Sequence, residues 1–222
     1  MADITRRNLL KVAGGMAAAG IVAAGAGCKG LARGGAVHAN SEFYTADGKF
    51  DDVAAKKAYF EMMEGFGYPV YEKLRNELWA IDFAAGKFTE VGMGGIFWIN
   101  DKQGLYLGHG IYLLPGQMIP EHWHVKTEFA PKAEAWQLRY GAVTLFGEGD
   151  PSPEWDKVVP ASEKPCTTVK HATVLKLGDV APLNRVEAKH FMVAGPEGCI
   201  VTEYASYHDG AALRFTNPKV KL

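Results

Sequence analysis

From about residue 92 onward, the apolar residues of this chain recur with a period of two, whereas over residues 51–88 they recur at helical spacing. A period of two places alternate side chains on opposite faces of an extended strand. Ile96 to Asn100 and Leu105 to Leu114 read as strands around an Asp101-Lys102-Gln103-Gly104 turn, with further strands expected at 118–128, 134–146, 172–177, 189–194 and 198–205. Pro115-Gly116, Gly147 to Pro153, Gly178-Asp179 and Gly195-Pro196 supply the turns between them. Many short strands with regular turn signals predict a β sandwich or barrel.

The helical part precedes it. Asp51 or Asp52 is placed to cap a first helix carrying Val53, Phe60 and Met63, with Gly65 as its stop. Pro69 opens a second, whose Val70, Leu74, Leu78 and Ile81 form one stripe up to Gly86. Residues 40–222 hold no Walker loop, no Gly-x-Gly-x-x-Gly and no internal repeat.

The first 39 residues are a different kind of polymer. They hold five basic residues, one acid and eight glycines, while residues 40–222 carry a net charge of −5. Thr5-Arg6-Arg7-Asn8-Leu9-Leu10-Lys11 resembles a twin-arginine export motif, followed by an uncharged Ala/Gly-rich stretch, Val12 to Gly27. That stretch is short for a membrane span, which needs about 20 apolar residues, and suits a signal peptide. Val37 and Ala39 are spaced for cleavage before Asn40; Gly25-Ala26-Gly27-Cys28 offers a lipoprotein-like alternative anchored at Cys28. The expectation is an exported, periplasmic protein handled by the twin-arginine machinery. After cleavage only Cys166 and Cys199 remain, free to pair or, for Cys199 in its apolar run, to stay a buried thiol. With 24 basic and 25 acidic residues in the whole chain, nothing favours a nucleic-acid partner.

The chemistry concentrates at Gly116 to Gly141. His122 and His124 lie two apart on a predicted strand and so face one side, as do Lys126 and Glu128. Two imidazoles on one strand face can hold a divalent metal if other strands complete the shell. Glu128 and Glu134 are the candidate carboxylates, and Glu134 is preferred because its strand leads to Gly141. His190, opening an apolar strand after a loop, is the candidate fourth ligand. Three histidines and a carboxylate suit Mn(II), Fe(II), Zn(II), Co(II) or Ni(II), and no cysteine is placed to close the site as structural zinc.

These residues carry a resemblance. Gly116, His122, His124, a Glu and Gly141 resemble the first cupin motif, with about six residues inserted before the second half, and Leu177-Gly178-Asp179 with His190 resembles a loose second motif. His122 to Glu128, together with Glu203-Tyr204-Ala205-Ser206-Tyr207-His208-Asp209 and Arg214-Phe215, resembles the D-lyxose isomerase type of sugar-isomerase cupins over roughly residues 50–218. The resemblance implies a mainly β fold, a cupin double-stranded β-helix (jelly roll) over residues 92–222, with two N-terminal helices in a 40–91 extension behind the 1–39 signal peptide. It implies one divalent ion, Mn(II) first, a free sugar such as D-lyxose or D-mannose as substrate, and aldose–ketose isomerisation through an enediol; cupins also commonly form homodimers. On that reading Glu203 is the base, its apolar surroundings raising its pKa, and Lys126 steadies the oxygen. Arg139, His208 and Arg214 bind sugar hydroxyls, and His109 between two glycines is structural. A non-catalytic sugar- or acid-binding cupin and an Fe(II) cupin dioxygenase are the alternatives.

Overall fold

A computed structural model describes residues 35–222. The Arg6-Arg7 motif, the Val12–Gly27 stretch and Cys28 lie outside the described residues, as does all of the expected signal peptide before residue 35.

Helix α1 (Asp52–Phe66) starts where the Asp51 carboxylate accepts from the N–H groups of Val53 and Ala54. It runs past Gly65 and ends on Gly67, which takes the left-handed conformation (φ 68°) that glycine adopts without a Cβ penalty. Val53, expected on the buried face, is exposed; Ala55, Tyr59, Met62 and Met63 are buried instead. They pack with Phe88, Tyr112 and Ile200 on the outer face of the sheet. Each large apolar side chain so buried contributes roughly 1.5–3 kcal/mol, enough to hold a helix that alone in water would be marginal.

The second helix is shorter than the stripe from Val70 to Ile81 predicts. Helix α2 (Glu72–Glu77) gives way at Leu78 to strand β1 (Trp79–Ile81). Strand β1 pairs antiparallel with strand β2 (Met93–Asp101), Trp79 opposite Gly95. A Cβ at Gly95 would stand 2.3 Å from the Trp79 ring, so the bare glycine is what lets the indole lie against the sheet. A sheet edge and a slot for one aromatic ring override the local helical period.

The remaining strands are β3 (Tyr106–Leu113), β4 (Met118–His124), β5 (Glu134–Gly147), β6 (His171–Leu175), β7 (Val180–Pro182), β8 (His190–Ser206) and β9 (Leu213–Phe215). A short helix, α3 (Trp155–Val158), lies between β5 and β6. Strands β5 and β8 lie antiparallel along their length, from Glu134 opposite Ala205 to Phe146 opposite Phe191. One half of β8 pairs with β3, the other with β4, so the two long strands belong to both halves of a curled antiparallel sheet. This is the mainly β, double-stranded β-helix architecture, closed on a core that includes Ile111, Leu113, Ile119, Leu138, Met192 and Val201.

Gly141 does not end its strand. It sits at a register shift within β5, with φ 73°, where a Cβ would meet the Gly198 carbonyl oxygen at 2.1 Å. Such a bulge bends the long strand between its two halves. Cys166 and Cys199 are both free thiols.

Candidate active site

Strand pairing sets the site before any side chain is considered. His122 on β4 lies opposite His190 on β8, and His109 on β3 lies opposite Glu203, which in turn faces Trp136 on β5. Directly paired residues project to the same face of a sheet. Glu134, two residues before Trp136, shares its inward face and is buried. All of these side chains therefore enter one cavity of about 250 Å³.

The three imidazoles of His122, His124 and His190 place one nitrogen each within 4.8 Å of one another. His122 Nδ1–H donates to the Pro120 carbonyl and His190 Nδ1–H to the Ala188 carbonyl, both at 2.9 Å. These bonds turn each Nε2 toward the cluster. Glu134 Oε1 lies 3.4 Å from His190 Nε2 and 3.7 Å from His124 Nε2. His124 Nε2, His190 Nε2 and Glu134 Oε1 have essentially no accessible surface and no hydrogen-bond partner among the described residues. Buried polar atoms left unpaired are costly and rare. Ligand atoms about 2.1 Å from a common ion stand roughly 3.0–3.5 Å apart, so the residues present fit a divalent metal held by three imidazoles and one carboxylate.

Burial holds all three imidazoles in the state a metal needs. It drives the His122 and His124 pKa values well below the ordinary histidine value and that of His190 down to about 4, so the lone pairs are free at neutral pH. Burial also pushes Glu134 up to about 8, the nearby Lys132 ammonium opposing and the Glu203 carboxylate adding to the rise.

A second chain of contacts leads away from the histidines. Lys132 Nζ donates to Glu134 Oε2 at 3.1 Å and, in close contact, to Glu203 Oε1. Glu203 Oε2 accepts from His109 Nδ1–H at 2.8 Å. All four residues are buried. Burial favours protonation of Glu203, but Lys132, followed by the hydrogen bond and charge of His109, outweighs it and holds the carboxyl well below the usual range. That reverses the expectation of a raised pKa, which rested on the apolar neighbours of Glu203 in sequence and not on the cation across the cavity. The same two carboxylates raise the pKa of Lys132 against the effect of its burial.

His208 also lines the cavity, its ring 5.8 Å from that of His124. Three expected site residues do not reach it. Lys126 is exposed because β4 stops at His124; beyond it Thr127 Oγ1 donates to Asp209 Oδ2 at 2.7 Å and accepts from Phe129 N–H, curling the chain out of strand alternation. Arg139 points outward from β5, between the inward Leu138 and the bulge, and donates to Gln137 Oε1. Arg214 lies between the cavity-lining Leu213 and Phe215, hence on the opposite face, and donates to the carbonyls of Ala211 and Leu213. Glu128, the rival carboxylate, is exposed and bonded to Lys102.

Sequence reasoning passed over Lys132 and gave His109 a structural role only. Lys132 had a usable signal: it lies two residues before Glu134, so an extended chain turns both to one side. His109 had none, because its partner is 94 residues away.

Among comparisons with known proteins, no family model matches. The chain is 30% identical over 168 residues to a D-lyxose ketol-isomerase of Cohnella laeviribosi, covering 75% of this chain and 91% of that protein. It is 28% identical over 163 residues to a D-lyxose/D-mannose isomerase of Thermosediminibacter oceani, covering 73% and 88%. In three dimensions it is similar to L-ribose isomerase of Acinetobacter sp. DL28, solved in complex with L-ribose, with a TM-score of 0.61, 16% identity and coverage of 81% and 95%.

Proposed function

The chain belongs to the D-lyxose ketol-isomerase family, and from that premise we propose that it is a metal-dependent aldose–ketose isomerase acting on a free sugar of the D-lyxose or D-mannose type. The observation that carries the reading is the continuity of one buried chain of groups. A three-histidine, one-carboxylate cluster shares Glu134 with Lys132, Lys132 joins Glu203, and Glu203 is fastened by His109.

His122, His124, Glu134 and His190 would hold the ion, Mn(II) first among the candidates. Bound there, a divalent metal supplies Lewis acidity toward the carbonyl and hydroxyl oxygens at C1 and C2 of the sugar. The protein's own groups handle the protons. Glu203 takes the C2 proton of the aldose as a carboxylate and returns it to C1 as a carboxylic acid. Lys132 gives a proton to O1 and regains one from O2, so the exchange balances. Its ammonium also faces the negative charge that builds on these oxygens in the enediolate. A sugar oxygen that takes over the Lys132 hydrogen bond leaves Glu203 Oε1 free to accept the proton, while His109 keeps hold of Oε2. The largely apolar wall limits water around the exchangeable protons.

The test is isotopic. D-Lyxose or D-mannose incubated with the metal-loaded protein in heavy water should gain deuterium at C2 and yield the ketose. Glu203→Gln should lower turnover by about 10²- to 10⁴-fold with metal content unchanged. No exchange and no ketose from common pentoses and hexoses, with any first-row divalent ion, would sink the proposal.

A further inference from the structure

We propose that, among hexoses, the site prefers a sugar whose non-reacting end lacks its hydroxyl, a 6-deoxyaldose, over the fully hydroxylated parent. The inference rests on the isomerase reading for which end of the sugar reacts, and otherwise on what lines the cavity.

The charged and ligating side chains of the cavity gather around Glu134, Lys132 and Glu203. Apart from the four candidate metal ligands and the Lys132–Glu203–His109 chain, the polar groups on side chains lining the cavity are the His208 ring and the indole N–H groups of Trp79 and Trp136. No Ser, Thr, Asn, Gln, Asp, Arg or Tyr of the described residues lines it. Among the apolar lining residues Trp79, Ile81, Phe97, Leu213 and Phe215 are half-buried and Leu222 is exposed, beside the half-buried His122 and His208. Both indoles belong to the reacting end: Trp79, whose N–H has no partner among the described residues, stacks on His109 at 5.6 Å, and Trp136 lies 5.0 Å from His190. Phe97 stands between Trp79 and His208, with ring centroids 5.7 and 5.4 Å away. That row of rings continues the wall on which Glu203 is held, since His109 lies 4.8 Å from Phe97.

A sugar with C1 and C2 beside Glu203 and Lys132 has its first oxygens satisfied by the metal cluster and Lys132. His208 can reach one more hydroxyl. The groups beyond must lie along Phe97, Leu213 and Phe215, where no side chain can replace the hydrogen bonds to water that a hydroxyl gives up. A methyl group at that end loses nothing and gains apolar contact. An apolar pocket rejects an added hydroxyl by at most about 10²-fold, which bounds the effect.

D-Mannose and 6-deoxy-D-mannose make the clean comparison, because both close the same pyranose through O5 and differ only at C6. The metal-loaded protein should show kcat/KM about tenfold higher for the 6-deoxy sugar. Leu213→Asn or Ile81→Asn, each placing an amide in the apolar lining, should bring the ratio back toward one. A ratio near one in the unaltered protein, or one favouring D-mannose, overturns the inference. If neither sugar is isomerised, the isomerase reading has failed on its own account. Calorimetry with D-mannitol and 6-deoxy-D-mannitol then still decides: tighter binding of the deoxy alditol upholds the apolar end, and equal or weaker binding refutes it.

Discussion

His109 shows how a single residue can govern the proposed chemistry without touching the metal ligands. Its Nδ1–H fixes Glu203 Oε2, while its ring stacks on Trp79 at 5.6 Å and its Nε2 has no partner among the described residues. An ionised carboxylate can only accept, so the ring's proton sits on Nδ1. We expect His109→Leu to lower kcat by at least about tenfold with KM little changed, since a positioned base contributes through the transition state. His109→Asn, whose amide nitrogen falls near the place of Nδ1, should recover a large part of that loss. Equal losses in both variants would mean that the ring matters for packing alone. His109 would then have no part in holding Glu203.

At the scale of elements, the bend shared by β5 and β8 brings the site together. Glu134 and Trp136 lie in one half of β5 and the Val143–Phe146 segment in the other; on β8 Glu203 and His190 are divided in the same way. Gly141 marks the division on β5, facing Gly198, itself at φ 78°. Alanine at 141 would adopt a left-handed conformation and meet backbone that cannot swing aside. The strain and the clash together should cost about 2–4 kcal/mol, read as a lowered midpoint in urea unfolding. An unchanged midpoint would show that the bend does not depend on glycine. The end of β4 is the second decisive element. Because the strand stops at His124, the lysine that enters the site is Lys132 from the approach to β5 and not Lys126.

For the whole molecule, gathering so many titratable groups in one cavity ties stability to pH and to metal. Burial lowers the pKa values of His190 and His208 to about 4 and those of His122 and His124 further. In the unfolded chain these histidines titrate near 6.5. Between about pH 6.5 and 4 the unfolded state therefore binds more protons than the folded one, so stability falls as pH falls through that window. The metal-free protein should show a steadily decreasing Tm from pH 7 to 4.5. Added Mn(II) should raise Tm at pH 7, and the rise should shrink as pH falls and protons compete for the folded-state ligands Glu134 and His190. A flat Tm across this range in the metal-free protein would contradict the buried, uncharged histidine cluster.

The amino-acid sequence alone carried the β architecture, through a period of two that admits no other regular structure. It also pointed to His122, His124, Glu134 and His190, which the structure brings to one cavity, because a strand's alternation is a local property. Local pattern could not say where a strand would stop, so it favoured Lys126. It could not see that β1 would claim Trp79 from a helical stripe, since the competing partner is the edge of β2. The ionisation of Glu203 was beyond its reach as well. Two groups from distant segments, Lys132 and His109, hold that charge against the effect of burial. Electrostatic interactions act through distance in space, and strand register between β3, β5 and β8, not neighbourhood along the chain, decides that distance.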